Sequence, residues 1–159
     1  HRMSVSMTNC GRVGWISEHR GYRYDPLDPM TRNPWPPMRA PFLRLAECAA
    51  AAAGFECFAP DSCLINRYEL GARLSLHQNR NERSFDAPIV SVSFGLPAIF
   101  LFGGESRSDK PRRVRLESGD VAVWGGPARL AFHGVEPVAH GNHPLTGPCR
   151  MNLTFRKAL

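Results

Sequence analysis

Hydrophobic and polar positions alternate in short stretches through the second half of the chain. From residue 60 onward, apolar residues either alternate with polar ones or form brief runs bounded by glycine, proline or polar turns. Both patterns predict β-strands. The predicted strands are Cys63–Tyr68, Arg73–His77, Ile89–Phe94, Ala98–Phe102, Arg113–Glu117, Asp120–Trp124, Leu130–His133 and Arg150–Arg156. About eight short strands separated by turn residues indicate a mainly β fold, either a sandwich or a jelly roll.

The first 60 residues follow a different pattern. Residues 3–24 contain short alternations, glycines and several aromatic residues, which predict a hairpin-rich flap. Residues 25–41 are rich in proline and include "PWPP", and they predict an irregular connector because each proline removes a hydrogen-bond donor. Pro41 suits the first turn of a helix from Phe42 to Ala53, which Gly54 would end.

Length and composition narrow the class of protein. A chain of 159 residues fits one domain with a substantial core. It opens on His1 rather than Met, which predicts an N-terminally truncated sequence. No apolar run approaches the roughly 18 residues that span a bilayer, and the five cysteines form no CxxC pair. These features predict a protein of a reducing compartment without a membrane segment or a zinc site.

The charge of the chain leaves its partner open. The net charge is +6, and Lys110 and Lys157 are the only lysines, so arginine supplies nearly all of the positive charge. A basic, arginine-rich surface favours polyanions such as nucleic acids. A general compositional preference for arginine would produce the same charge.

The stretch "LSLHQNRNE" carries the first candidate chemistry. His77 closes a predicted strand, Asn79 follows two residues later, and His133 ends the predicted strand "RLAFH". Two histidines and an oxygen-bearing side chain can hold Fe(II) and leave coordination positions open, although the oxygen ligand is normally a carboxylate rather than an amide. His140 and His143 lie in a predicted loop and are poorer candidates. Strand-end histidines also occur as purely structural residues, so this pattern alone leaves both readings open.

The last predicted strand, "RMNLTFR", carries the second candidate. Arg150, Asn152, Thr154 and Arg156 share one face of it. The arginine Cα atoms should lie about 20 Å apart, and side chains leaning toward each other would fit a short dicarboxylate between them. Asn66 and Tyr68 form a second polar face that could share its recognition. A solvated strand face paired with surface carboxylates would carry the same pattern.

Taken together, the motifs resemble those of the bacterial AlkB-type Fe(II)/2-oxoglutarate-dependent dioxygenases. The resemblance extends over essentially the whole chain, through "MTNCGRVGW", "GYRYDPLDP", "PWPPM", "LINRY", "LSLHQ", "PIVSVSFGLPAIFLFGG", "GDVAVWGG", "FHGVEP" and "RMNLTFR". It implies a double-stranded β-helix (jelly roll) with a flanking helix and an N-terminal nucleotide-recognition lid. The single dioxygenase domain, residues 1–159, would comprise lid and connector (1–40), supporting helix (41–54) and jelly-roll core (60–159).

The resemblance also implies residue roles and a set of cofactors. The metal and catalytic residues would be His77, Asn79 and His133, the 2-oxoglutarate site would be Leu64, Asn66, Tyr68, Arg150, Asn152 and Arg156, and the substrate would meet Trp15, Tyr22, Asn81 and Arg107. Fe(II), 2-oxoglutarate and O2 are the implied cofactor and cosubstrates. Asn81 stands where the close bacterial relatives carry an aspartate that contacts the target base.

The implied function is oxidative removal of N-alkyl groups from damaged bases in DNA or RNA. The substrate would be single-stranded or would have its base flipped out, because a duplex hides the alkyl group. The implied setting is the cytoplasm, and the implied state is a monomer without membrane contact. Because Asn79 is a neutral donor, the sequence also predicts weakened metal binding. The alternatives are an inactive AlkB-like module that binds single-stranded nucleic acid and a dioxygenase or cupin-like binder with another ligand.

Overall fold

The computed structural model describes residues 5–19 and 21–159. It contains one α-helix and eleven strands in this part of the chain. In chain order they are β1 (Val5–Gly11), β2 (Gly14–Glu18), β3 (Gly21–Asp25), α1 (Ala40–Ala52), β4 (Ser62–Tyr68), β5 (Leu74–His77), β6 (Ile89–Gly95), β7 (Ala98–Phe102), β8 (Arg112–Leu116), β9 (Val121–Trp124), β10 (His133–Val135) and β11 (Arg150–Arg156).

Two antiparallel sheets form the body of the protein. The larger has the strand order β1-β4-β11-β6-β9, and the smaller has the order β5-β10-β7-β8. Neighbouring strands within each sheet are mostly distant in sequence, as in a jelly roll. The predicted jelly-roll fold is therefore confirmed. A third sheet is the separate hairpin β2-β3.

The larger sheet is covered on both faces. One apolar cluster, which includes Ile89 and Trp124 of this sheet and Phe100 and Val135 of the smaller sheet, fills the space between the two sheets. A second cluster joins Ala46 and Ala50 of α1 to the opposite face. Strand β11 thus turns Leu153 and Phe155 toward the helix and its polar residues toward the space between the sheets.

The first strand of the N-terminal segment belongs to the larger sheet. The sequence assigns residues 1–40 to the lid and connector, but β1 pairs along its whole length with β4 as an edge strand of the larger sheet. Val5, Asn9 and Cys10 of β1 are buried there, which gives the strand a packing surface of its own. Only the β2-β3 hairpin stands apart from the two large sheets, and Met3, the first residue of the predicted flap, lies outside the described residues.

The helix and one strand also differ from prediction. Helix α1 begins at Ala40 with Pro41 in its first turn, as expected, and ends at Ala52, before the left-handed Gly54. His133 begins β10 and does not end a strand, because residues 130–132 are irregular. No helix within residues 5–19 and 21–159 is long and apolar enough to cross a bilayer.

Candidate active site

A cavity of about 970 Å³ opens between the two sheets. The thirteen residues to which the sequence assigned site roles all line it: Trp15, Tyr22, Leu64, Asn66, Tyr68, His77, Asn79, Asn81, Arg107, His133, Arg150, Asn152 and Arg156. His140 and His143 do not line it. The cavity has an inner end, at Arg150 and the polar face of β11, and a mouth, where Trp15, Tyr22 and Arg107 lie.

The two histidines face each other across neighbouring antiparallel strands. His77, the last residue of β5, pairs directly with His133, the first residue of β10. Their ring centroids are 4.4 Å apart. In an antiparallel pair the end of one strand meets the beginning of the other, so a strand-start histidine is what this geometry requires.

A hydrogen bond to a backbone carbonyl oxygen holds each imidazole in one tautomer. Nδ1 of His77 donates to the Ser75 carbonyl at 2.9 Å, and Nδ1 of His133 donates to the Ala131 carbonyl at 2.9 Å. Since a carbonyl oxygen can only accept, both Nδ1 atoms carry the proton and both Nε2 atoms keep a lone pair. Burial lowers the pKa of both rings, that of His133 to about 3, which keeps them neutral. Neutral imidazoles with free Nε2 atoms are suitable metal ligands.

Asn79 lies next to this pair and donates a hydrogen bond to it, which an ionised carboxylate could not do. Its Nδ2 lies 3.1 Å from Nε2 of His133. Because that Nε2 has only a lone pair, the amide must donate, so its nitrogen faces the ring. The same Nε2 cannot accept from the amide and bind a metal, so metal binding has to break this hydrogen bond.

The donor set therefore fits a transition metal through two imidazoles and one neutral amide. Two imidazoles suit iron and related ions, and an amide oxygen can serve as an additional ligand of the harder cations. No cluster of three or more His, Cys, Asp or Glu side chains able to hold a metal occurs among the described residues. The negative charge that a carboxylate would bring to such a site is absent here.

Gly134 allows β5 and β10 to approach closely beside the histidines. A Cβ atom at this position would lie 2.6 Å from the Leu74 carbonyl oxygen. A real Cβ cannot occupy that space, so any side chain would push the strands apart. The glycine thus maintains the pairing that brings His77 opposite His133.

Arg150 lies at the inner end of the cavity, where only some of its N–H donors have an acceptor. Its side chain is 1 % exposed, its Nη2 donates to Ser93 Oγ at 2.9 Å, and its guanidinium carbon lies 4.9 Å from the Tyr68 ring centroid. Nε and Nη1 meet no acceptor within the described part of the chain. Burial lowers the pKa of Arg150. Unsatisfied buried donors on a cation are costly, so this arrangement suits an anionic ligand.

Amides and a hydroxyl line the floor beside Arg150. Asn152 donates to Ser91 Oγ at 2.8 Å and to the Val92 carbonyl at 3.0 Å, while its Oδ1 accepts from Thr154 at 2.8 Å. Asn66 also donates to this Oδ1, at 3.4 Å, and its own buried Oδ1 has no donor among residues that the structure describes. The floor thus offers one further open polar atom.

Arg156, at the other end of β11, is already held by a buried carboxylate. Glu82 accepts from the Tyr24 hydroxyl at 2.6 Å, and that hydroxyl accepts from Nη1 of Arg156 at 3.1 Å. Nε of Arg156 lies 3.8 Å from the same carboxylate, and Arg129 forms an ion pair with Glu82 at 3.2 Å. Burial next to Glu82 raises the pKa of Tyr24, so it stays protonated and can donate.

Arg129 connects this network to the metal position. Its Nη1 donates to the backbone carbonyl of Asn79 at 2.8 Å, and its Nε donates to the Ala87 carbonyl at 2.9 Å. One guanidinium therefore fixes the loop that carries Asn79 while Glu82 compensates its charge.

Counting the buried charges shows a positive surplus at the inner end. Arg129, Arg150 and Arg156 are buried against Glu82, so two positive charges lack a buried partner. Asp61, the other buried carboxylate, is paired with Lys157 at 2.9 Å. A surplus of two fits a ligand with two negative charges, such as a dicarboxylate.

The mouth is aromatic and more open. Trp15 stacks on Tyr22 with ring centroids 5.2 Å apart and planes 15° apart, and Tyr22 is 61 % exposed. Trp15 Nε1 donates to Asn81 Oδ1 at 3.3 Å. Asn9 clamps the Trp15 backbone through two hydrogen bonds of 3.0 Å. Arg107 lies over the Phe132 ring at 5.1 Å.

Sequence reasoning missed several residues that shape the site. Glu82, Arg129 and Tyr24 form the buried network around Arg156, and Trp124 packs against His133 with ring centroids 4.9 Å apart. Tyr24 shares a strand face with Tyr22, which was a usable signal. Glu82 lies in the polar stretch 78–84, where nothing distinguishes a buried charge from a solvated one, and Arg129 directly precedes the apolar residues 130–132.

Comparison with known proteins gives concordant results. The profile of the 2OG-Fe(II) oxygenase superfamily matches residues 1–156. The chain is 58 % identical over 158 residues to "Alpha-ketoglutarate-dependent dioxygenase AlkB" of Escherichia coli K12, covering 99 % of this chain and 73 % of that protein. It is 33 % identical over 127 residues to human "Nucleic acid dioxygenase ALKBH1", covering 80 % and 32 %. The solved structure of OsALKBH1 superposes with a TM-score of 0.84 at 30 % identity, covering 98 % of this chain and 78 % of that one.

Proposed function

The chain belongs to the 2OG-Fe(II) oxygenase superfamily as an AlkB-type dioxygenase, and on that premise we propose that it removes N-alkyl groups from nucleic acid bases by oxidation. One observation carries the proposal. A single cavity contains a neutral histidine pair, a buried arginine with two open N–H donors, and an aromatic stack at its mouth. These are the parts needed for a metal, a keto diacid and a planar substrate.

The aromatic mouth supports a base as the substrate. The flat faces of Trp15 and Tyr22 suit stacking by a base, which is worth about 1–3 kcal/mol. Arg107 at the same mouth is exposed and available to a phosphate. A relative at 33 % identity is named a nucleic acid dioxygenase. Because the histidines lie inside the cavity, a base must leave its duplex stack or come from a single strand to reach them.

The inner end supports 2-oxoglutarate as the cosubstrate. The open Nε and Nη1 of Arg150 would each donate a hydrogen bond to an anionic oxygen of this ligand. Asn66, Tyr68 and Asn152 would position the rest of the molecule along the floor, with Leu64 packing against its carbons. Arg156, oriented by Glu82 and Tyr24, would add a second positive charge.

Fe(II) would be held by His77 and His133 through Nε2 and by the amide of Asn79. Once bound, Fe(II) with 2-oxoglutarate and O2 supplies the oxidation, in which one oxygen atom converts the keto acid to succinate and CO2 and the other is inserted into an N-alkyl C–H bond, and the hydroxyalkyl group then leaves as an aldehyde. The chain's own part is to hold the base with its alkyl group toward the histidines and to keep bulk water out. The carbonyls of Ser75 and Ala131 keep both imidazoles in the ligand tautomer.

The test is turnover on a panel of single-stranded oligonucleotides. Each would carry one 1-methyladenine, 3-methylcytosine, 1-methylguanine or 3-methylthymine, with Fe(II), ascorbate and 2-oxoglutarate supplied in excess. We expect formaldehyde and succinate in equal amounts with at least one of them, and neither product with Arg150→Met. Absence of both products from all four oligonucleotides, even at millimolar iron, would contradict the proposal.

A second candidate is a binding module without turnover. It is favoured by the hydrogen bond from Asn79 to His133 and by the lack of a carboxylate at this position. Asn79→Asp discriminates the two, because an added charge should raise affinity for Mn(II) by about 10–100-fold. Activity of the unsubstituted chain excludes the module. A chain that is inactive both with and without Asn79→Asp supports it.

We also propose that the protein acts as a monomer in the cytoplasm. Cys10 and Cys63 are buried thiols directly opposite each other on β1 and β4. A reducing compartment preserves such a pair as well as Fe(II). Sedimentation velocity at micromolar concentration tests the oligomeric state.

A further inference from the structure

The segment between β5 and β6 carries several residues of the site but has little structure of its own. Residues 78–88 form neither a helix nor a strand. Outside the strand pairings, one backbone–backbone hydrogen bond, donated by Arg83, ties this segment to the rest of the described chain. Asn79, Asn81 and Glu82 nevertheless have fixed partners in the site. Because a chain segment without regular hydrogen bonds loses much entropy when it is ordered, other contacts must hold it in place.

The side chain of Arg129 supplies four of these contacts through one guanidinium group. Its Nη1 donates to the Asn79 carbonyl at 2.8 Å, and its Nε donates to the Ala87 carbonyl at 2.9 Å. It also forms the ion pair with Glu82 at 3.2 Å, and its guanidinium carbon lies 5.3 Å from the centroid of the Phe85 ring. Arg129 thus holds the segment near both of its ends and in the middle.

Arg129 is itself fixed and has no donor open to a ligand. It is 3 % exposed, and its backbone N–H donates to the Gly126 carbonyl at 3.0 Å. Within the described part of the chain, none of its nitrogens is a buried donor without an acceptor, whereas Nε and Nη1 of Arg150 are. Arg129 also does not border the cavity. Any part that it has in the reaction must therefore act through the segment that it holds.

The backbone position of Asn79 determines what its side chain can reach. Only two side-chain torsions separate the Asn79 backbone from its amide, which is buried and lies with Nδ2 3.1 Å from Nε2 of His133. The hydrogen bond from Arg129 to the Asn79 carbonyl fixes the start of this short connection. Groups that orient metal ligands in this way typically change metal affinity by about 10–100-fold.

We propose that Arg129 is a positioning residue, which holds residues 78–88 so that the amide of Asn79 lies against Nε2 of His133 and thereby sets the affinity of the site for a metal. The inference rests on the proposed function, because it takes Asn79 as part of the metal position. The charge of Arg129 and its two hydrogen bonds to carbonyls can be separated. A lysine keeps the charge beside Glu82 but has a single nitrogen and no planar fork to span both carbonyls.

Co(II) binding by Arg129→Lys is the first measurement. We expect the affinity for Co(II) to fall by about 10–100-fold and the visible absorption of bound Co(II) to change, because its ligands are no longer aligned. Val90→Ala is the matched control for lost stability, since Val90 is fully buried in the cluster beside α1 and does not border the cavity. It should lower the Tm and leave both the Co(II) affinity and the absorption unchanged.

The hydrogen bond from Asn79 to His133 provides a second measurement that needs no metal. Long-range 1H–15N spectra in EDTA report the Nε2 resonance of His133, which depends on whether this atom accepts a hydrogen bond. In Arg129→Lys the resonance should move toward that of an imidazole whose Nε2 accepts none. In Val90→Ala it should stay in place. A residue that only stabilised the fold would give the same result in both variants.

Phe85→Leu keeps the inference testable if Arg129→Lys does not fold, which circular dichroism shows. It removes only the ring over which the guanidinium lies, so it should change both measurements in the same direction by a smaller amount. An unchanged Co(II) affinity with an unchanged His133 resonance, in whichever of the two variants folds, overturns the inference. Equal changes in Val90→Ala overturn it as well.

Failure of this inference can be told apart from failure of the proposed function. If the unsubstituted chain binds Co(II) and Arg129→Lys behaves like it, Arg129 has no positioning role and the dealkylase function stands. If the unsubstituted chain binds no Co(II), the proposed metal position fails, and the His133 resonance alone decides whether Arg129 positions Asn79.

Discussion

The two ends of the cavity are built in different ways. At the inner end, charged groups are buried and fixed by several partners, as Glu82 is by Tyr24, Arg129 and Arg156. At the mouth, Trp15 and Asn81 are joined by one hydrogen bond of 3.3 Å, and Tyr22 is largely exposed. The inner end is thus organised before any ligand arrives, whereas the mouth has freedom to adjust to a polymer.

This difference indicates that the two ends of the cavity recognise different kinds of ligand. A keto diacid has one shape, and a rigid charged site recognises it at small entropic cost. A nucleic acid strand varies in sequence and backbone geometry, and stacking on an aromatic face tolerates that variation. Substitutions at the inner end should therefore change the stability of the protein and its affinity for the cosubstrate. Substitutions at the mouth should change only its affinity for the nucleic acid.

The largest effect is expected from Glu82→Gln. Removing the charge leaves Arg129 and Arg156 buried without compensation, which should lower the free energy of unfolding by about 3–5 kcal/mol. Urea denaturation measures it, with Glu47→Gln on the exposed side of α1 as the control. A loss below about 1 kcal/mol would mean that the network does not stabilise the inner end.

Arg150→Met should separate ligand binding from folding. Losing two N–H donors to a carboxylate should weaken 2-oxoglutarate binding by about 100-fold. The free protein should be no less stable, because the substitution removes a buried cation without a carboxylate partner. Thermal shifts with and without 2-oxoglutarate measure both effects, and Arg44→Met on the exposed surface is the control. An undiminished shift would show that Arg150 does not bind the diacid.

Acid should destabilise the metal-free protein through the histidine pair. The pKa of His133 is about 3 when folded and about 6.5 when unfolded, so the unfolded chain binds more protons below pH 6.5. Its contribution to stability is complete above pH 6.5 and is lost as the pH falls toward 3. Between pH 7 and pH 5 the loss is about 2 kcal/mol from this residue alone.

The measurement is urea denaturation in EDTA at several pH values. His133→Gln should flatten the dependence by that amount, since glutamine does not titrate. An identical pH dependence in the two proteins would mean that His133 is not held neutral by the fold.

Trp15→Ala probes the mouth and should have the smallest effect on the rest of the molecule. Loss of the stacking face should weaken binding of a single-stranded oligonucleotide by about 1–3 kcal/mol. The thermal shift caused by 2-oxoglutarate should be unchanged, in contrast to Arg150→Met. A reduced thermal shift in Trp15→Ala would show that the two ends of the cavity are coupled and do not act separately.

Local patterns explain why much of the site could be predicted. The alternation in β11 placed Arg150, Asn152 and Arg156 on one face, and their burial excludes the alternative of a solvated strand face. The strands Ala98–Phe102 and Arg150–Arg156 have the predicted bounds. Period-two patterns carry this information because each side of a strand meets one environment.

The features that escaped prediction depend on contacts between distant segments. Glu82 and Tyr24 are 58 positions apart, and the orientation of the Asn79 amide depends on a ring 54 positions away. The start of β10 at His133 reflects pairing with β5, whereas the apolar residues before it only resemble a strand. No local signal reports such partners.

The direct pairing of His77 with His133 makes the site sensitive to chain length at the start of β10. Side chains alternate sides along a strand, so inserting a single residue between Ala131 and His133 would bring a different residue opposite His77 and point the imidazole away from the cavity. The two strands could not restore the pairing by sliding past each other by one residue. A residue with a side chain would then take the place of Gly134 and collide with the Leu74 carbonyl. Insertions in the exposed loop between β7 and β8 would lengthen the chain without disturbing this alignment. Natural or designed variants of this protein can therefore keep both histidines and still lose the metal position through a one-residue insertion.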